Sequence, residues 1–79
     1  MISKYIEQAL GRARYETLDS GGFCATVGGL RGVIANGDSL EECRTQLSEV
    51  VEEWILVRVA QGLPVPKLGG VSIRVKRAS

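Results

Sequence analysis

The strongest constraint on the fold is the junction at residues 36–39, Asn-Gly-Asp-Ser, where a short β pattern stops and a helical pattern begins at once. Ser39 and Glu42 have the spacing of a capping box, in which the Ser39 hydroxyl accepts from the Glu42 amide and the Glu42 carboxylate reaches back to the Ser39 amide. Asp38 adds a negative charge at the positive end of the helix dipole. The chain therefore passes directly from a strand into a helix here. This junction fixes where the preceding strand ends and where the following helix begins.

Four elements are predicted up to this junction. Residues 2–13 space their apolar side chains as one face of a short amphipathic helix. Residues 14–18 form a strand that turns at residues 19–22 and pairs with residues 23–27, where apolar and polar side chains alternate. A glycine-rich connection then leads into a third strand at residues 33–36, so the three strands form an antiparallel meander.

A long helix over residues 40–61 and a last strand over residues 71–76 complete the pattern. Gly62 is suited to a left-handed helix end, and Pro64 prevents the helix from continuing. The order is α-β-β-β-α-β, which predicts one α+β domain over residues 1–79, built as a two-layer sandwich. The helix face that should cover the sheet consists of Leu40, Cys43, Leu47, Val50, Val51, Trp54 and Ile55.

The last two turns of the long helix are apolar nearly all round. Leu56 lies about 160° from Leu40 at about 100° per residue, and Val59 also falls outside the sheet-facing stripe. Either the first helix or the loop at residues 63–66 covers these side chains, or they form a subunit or partner interface. A chain of 79 residues buries only about 60–65% of its unfolded surface, which favours a homo-oligomer, a dimer or a tetramer.

Composition excludes several classes of protein. The net charge of +1 does not suit a protein held on nucleic acid by its overall charge, although residues 63–79 carry four basic residues and no acid, which leaves a basic strand or a nucleic-acid contact open. No signal peptide or membrane-spanning stretch is expected, so the predicted location is the cytoplasm. Cys24 and Cys43, without histidine, predict small buried hydrophobes and neither a disulfide, a metal site nor a cofactor.

Catalysis is not expected, because the chain contains no histidine and hence no Ser-His or Cys-His pair. Most of the acids belong to the start and the outward face of the long helix. The remaining enzymatic alternative is a metal-dependent nuclease that uses Glu16, Asp19 and Asp38, which would have to converge near one metal ion.

The ordered set of motifs resembles the HicB-like antitoxin family over most of the chain. The residues that carry the resemblance are 22–25 in the second strand, Leu30 and Gly32 before the third, 37–43 at the helix start, Trp54 in the helix, and 62–66 after it.

This resemblance implies a degenerate ribonuclease-H-like sheet and a protein that binds and masks a HicA-type toxin, an enzyme that cleaves messenger RNA. Full-length family members append a DNA-reading segment, for which this sequence shows no pattern, so direct DNA binding is not expected. Where the family has prolines between strands two and three, this sequence has Val27, Gly28 and Gly29. An orphan domain that acts as a scaffold in another assembly is the alternative.

Overall fold

A computed structural model describes residues 2–73 and contains two helices and three strands. In chain order they are α1 (Ile2–Arg12), β1 (Ala13–Thr17), β2 (Phe23–Val27), β3 (Ile34–Gly37) and α2 (Leu40–Ala60). The predicted succession of a helix, three strands and a long helix is thus confirmed, with boundaries that differ by one residue.

The three strands form an antiparallel sheet in the order β1-β2-β3. Tyr15, Ala25 and Ala35 lie side by side across it, and the two alanines are buried. The neighbouring row contains Thr26 and Ile34, both of which are exposed. One face of the sheet therefore carries the core and the other faces outward, as the alternation along β2 predicted.

The passage from β3 into α2 is tight. The Ser39 hydroxyl accepts from the Glu42 amide at 3.1 Å, whereas the expected return bond from the Glu42 carboxylate is not among the hydrogen bonds of residues 2–73. A Cβ atom at Gly37 would lie 2.6 Å from the Cys43 nitrogen, so the strand end contacts the first turn of the helix at a point where only glycine fits.

The other end of α2 is closed by a Schellman motif. Gly62 has a φ of 68°, its amide donates to the Val59 carbonyl at 3.1 Å, and the Leu63 amide donates to the Arg58 carbonyl at 2.8 Å. The left-handed conformation predicted for Gly62 is confirmed. This backbone motif also decides where Leu63 lies, immediately beside the last turn of the helix.

The core lies between the inner sheet face and the two helices. The segment after α2 closes it, because Val65 and Leu68 are buried and the Tyr5 hydroxyl donates to the Pro66 carbonyl. Buried hydrophobic residues come from α1, β2, β3, α2 and the loops: Tyr5, Ala9, Ala25, Val27, Leu30, Val33, Ala35, Cys43, Leu47, Val51, Ile55, Val65 and Leu68.

Three expectations about the core need correction. Leu40 is 46% exposed because it opens α2 beyond the end of β3, where no strand residue covers it. Trp54 and Val50 are only half-buried, at the margin of the core. Cys43 is fully buried as expected, but Cys24 is half-buried.

The second half of the last predicted strand, residues 74–76 of 71–76, lies outside the described residues. Within them, Val71 forms an isolated antiparallel bridge with Leu68, and residues 72 and 73 are not in a strand. The described sheet therefore has three strands.

Candidate interaction surfaces on helix α2

Helix α2 presents two exposed surfaces besides the side that it packs on the sheet. The first is an apolar groove with a volume of about 340 Å³. We call it the apolar groove, and it is lined by Val50, Glu53, Trp54, Val57, Arg58, Gln61 and Leu63.

The floor of the apolar groove is held in place by hydrogen bonds. The Trp54 indole donates to the Arg31 carbonyl at 3.1 Å, which fixes the ring against the loop before β3. The Arg58 guanidinium lies 4.9 Å from the centre of the Trp54 ring, within the range of a cation–π contact. Arg58 also donates through Nε to the Pro64 carbonyl at 2.7 Å. The indole and the guanidinium therefore form a rigid, preorganised platform.

The walls of the groove are exposed hydrophobic side chains. Val57 is 48% exposed and Leu63 is 40% exposed. Sequence reasoning did not single out either one. The signal was present in the spacing, since Val57 follows Val50 by seven residues and the Schellman glycine brings Leu63 back against the same turn.

The second surface, which we call the acidic face, consists of Glu42, Glu49, Glu52 and Leu56. These four residues recur at intervals of seven, three and four, so they form one stripe along the helix, and all of them are exposed. Leu56 is 52% exposed and is the apolar member of a carboxylate row.

The two residues predicted as an interface have different surroundings. Leu56 is exposed, whereas Val59 is half-buried and packs against the core cluster. The loop after α2 does cover part of the helix end, since Val65 is buried and Pro64 accepts from Arg58. It leaves Leu56 and Val57 about half exposed, so the loop alone does not cover the apolar side chains in the last turns of α2.

The acids considered for metal binding lie on separate segments. Glu16 is on β1, Asp19 is in the turn after it, and Asp38 lies between β3 and α2; all three are exposed. Within residues 2–73, no group of three His, Cys, Asp or Glu side chains is arranged to hold a metal ion.

The two cysteines are not joined in a disulfide. Burial raises the pKa of the Cys43 thiol, and the neighbouring Cys24 raises it further. The Cys43 sulfur lies 3.9 Å from the Ala35 carbonyl oxygen, inside the core. A buried thiol with a raised pKa has little thiolate at neutral pH, which agrees with the expected role of Cys43 as a small hydrophobe.

Comparison with known proteins places this arrangement in a family. The profile of the family described as UPF0150-like matches residues 4–66, which span α1 to the loop after α2. The chain belongs to the UPF0150-like family. No curated protein matches the sequence. Among solved structures, this UPF0150-like chain is similar to TTHA0281 from Thermus thermophilus, with 36% identity and a TM-score of 0.86 over 96% of this chain and 95% of that one. No helix within residues 2–73 is both long and apolar enough to cross a membrane.

Proposed function

We propose that this UPF0150-like protein is a non-enzymatic interaction module, an antitoxin of the HicB-like type that binds and masks a HicA-type, messenger-RNA-cleaving toxin. The family match over residues 4–66 supports the proposal, because it covers almost every motif on which the resemblance to HicB-like proteins depends. The helix, meander and long helix agree with the first five elements of the proposed ribonuclease-H-like HicB fold. The sixth would be the strand predicted over residues 71–76.

The observation that carries the proposal is the acidic face of α2. A protein that cleaves RNA must bind phosphates, so its active surface is expected to be basic. Glu42, Glu49 and Glu52 present three exposed carboxylates in one row, which is complementary to such a surface. Leu56 supplies an apolar contact within the row. The face would then mask the toxin by occupying the place of the RNA backbone.

The proposed protein acts in the cytoplasm as a homo-oligomer and does not read DNA directly. The second candidate function is that of an orphan scaffold, a HicB-like oligomerisation domain in another assembly. The apolar groove favours this candidate, since exposed Val57 and Leu63 suit self-association without any toxin.

The nuclease alternative would use Glu16, Asp19 and Asp38, and an assay of RNA cleavage with added Mg²⁺ at micromolar protein tests it.

The proposal is tested by calorimetric titration of the protein with a HicA-type toxin encoded beside its gene. We expect tight binding that weakens with added salt. The triple substitution E42Q/E49Q/E52Q should raise the Kd at least tenfold and reduce the salt dependence, because it removes three charges from the acidic face.

The matched control is E7Q/E16Q/D19N, which removes three exposed charges outside α2 and should leave the Kd within about twofold of the parent. Absence of binding by the parent protein would reject the antitoxin function in favour of the scaffold. Equal losses in the two triple variants would reject the acidic face as the binding surface.

A further inference from the structure

We infer that the apolar groove is the contact between two copies of this chain, whose α2 helices lie side by side in parallel about a two-fold axis along the helices. This contact concerns the chain alone, and it stands whether or not the protein binds a toxin. It is centred on Val57, about 100° around α2 from Leu56 of the acidic face, and its Glu53 rim adjoins that face.

The first reason is the composition of the groove. Val57 and Leu63 remain about half exposed beside an indole that a hydrogen bond already holds in place. A preorganised apolar surface loses little side-chain entropy when it is covered, so a second apolar surface of the same kind is a favourable occupant. In an isologous contact each copy supplies that same surface to the other.

The second reason is the charge on the two rims of the groove. Glu53 lies about 40° to one side of Val57 on the helix, and Arg58 lies about 100° to the other side, at about 100° per residue. The Arg58 guanidinium lies 4.9 Å from the Trp54 ring centre and donates to the Pro64 carbonyl, so its position is fixed at this rim. The two charges therefore lie on opposite sides of Val57 around the helix.

These rim charges select one orientation of the two helices. A two-fold axis parallel to the helices brings opposite rims together, so Glu53 of each copy faces Arg58 of the other. An antiparallel pair would bring like rims together and place the Glu53 side of one copy against the Glu53 side of the other. Unlike charges attract and like charges repel across the contact, so the parallel arrangement is favoured.

The third reason is the spacing of the valines. Val50 and Val57 are seven residues apart, the repeat that brings side chains to one seam of paired helices. In the parallel arrangement each valine lies next to its own counterpart. In an antiparallel pair, counterparts meet at only one level of the helix.

Cysteine cross-linking tests the arrangement. The native cysteines are first removed by the substitutions C24S and C43A. In that background, the single substitutions V50C and V57C should both give disulfide-linked dimers on mild oxidation. L56C, on the acidic face, is the control and should remain monomeric under denaturing conditions. Cross-linking at only one of the two valine positions would overturn the parallel arrangement, and efficient cross-linking through L56C would overturn the groove as the contact.

A second measurement avoids the cysteine background. Light scattering should give twice the protomer mass for the parent protein at micromolar concentration, the protomer mass for Val57→Asp, and an unchanged dimer for Leu56→Asp. Glu53→Arg and Arg58→Glu should each weaken the dimer at least tenfold. The double variant should bind more tightly than Arg58→Glu alone, because the charge pairing is restored while the Arg58 contacts with Trp54 and Pro64 are not. Circular dichroism checks that each variant is folded. A monomeric parent, or a Val57→Asp protein of dimer mass, would overturn the inference. Neither result bears on toxin binding, which the calorimetric titration measures separately.

Discussion

The two sides of helix α2 differ sharply in how far their apolar residues are buried. Toward the sheet, Cys43, Leu47, Val51 and Ile55 are all 0% exposed. On the outer sides of the same helix, Leu56 and Val57 are 52% and 48% exposed. The three-stranded sheet and helix α1 together cover one stripe of this 21-residue helix. The first stripe therefore specifies the fold, and the remaining apolar residues are available for contacts with other molecules.

The largest difference in stability should come from truncating one side chain on each side of α2. Leu47→Ala removes a fully buried side chain and should lower the free energy of unfolding by about 2–5 kcal/mol. Val57→Ala, on the exposed side, should change it by about 0.5 kcal/mol or less in the monomer. Urea denaturation at low protein concentration measures both, and similar losses for the two variants would show that the groove side belongs to the core.

A smaller change in stability is expected from substituting two glycines, one in close contact with α2 and one with open space around it. Gly37→Ala should destabilise the protein by about 1–3 kcal/mol, because the added methyl group would lie 2.6 Å from the Cys43 backbone nitrogen on the sheet side of α2. Gly11→Ala meets nothing within 4 Å in helix α1 and should stabilise by about 0.5–1 kcal/mol through helix propensity. Thermal melts of the two variants should therefore shift in opposite directions, and a shift in the same direction would contradict the close strand–helix contact.

The smallest effect is a loss of stability at alkaline pH, which comes from buried titratable groups. Burial raises the pKa of Tyr5, an increase that the nearby Arg58 partly offsets, and burial also raises the pKa of the Cys43 thiol. Both groups bind their proton more tightly in the folded state than in the unfolded state. Their contribution to stability is therefore complete below the unfolded pKa values of about 9 to 10 and decreases as the pH rises above them.

Denaturation at several pH values checks this behaviour. The free energy of unfolding should be level from pH 7 to about 9 with respect to these two groups and should fall above that range. Tyr5→Phe removes the hydrogen bond to the Pro66 carbonyl, should cost about 1 kcal/mol at neutral pH, and should flatten the decline above pH 10. An unchanged decline in that variant would assign the alkaline sensitivity to other groups.

Local signals in the sequence were sufficient for the element order. The Ser39 cap, Gly62 and the alternation along β2 each act over a few residues, so their effects can be read without tertiary information. The burial of α2 was predicted less well, because periodicity gives the direction of a side chain and does not show where the sheet ends. This is why Leu40 and Trp54 were assigned to the core.

The surfaces of α2 were only partly predictable. Leu56 stood out because it lies opposite the sheet-facing stripe, and the structure does leave it exposed. Val57 was missed because it lies next to the stripe, where the Arg31 loop and the Schellman turn decide what remains uncovered. The seven-residue spacing from Val50 was a signal for Val57, but spacing does not show which side chains the Arg31 loop and the helix end leave uncovered.

The hydrogen bond from Tyr5 to the Pro66 carbonyl has a practical consequence for experiments with fused partners. It joins the two ends of the family-matched region, and the following residues continue along α1, where the Cβ position of Gly69 would meet the Gln8 side chain. A protein domain inserted at Gly70, next to Gly69, would thus be attached beside the first helix.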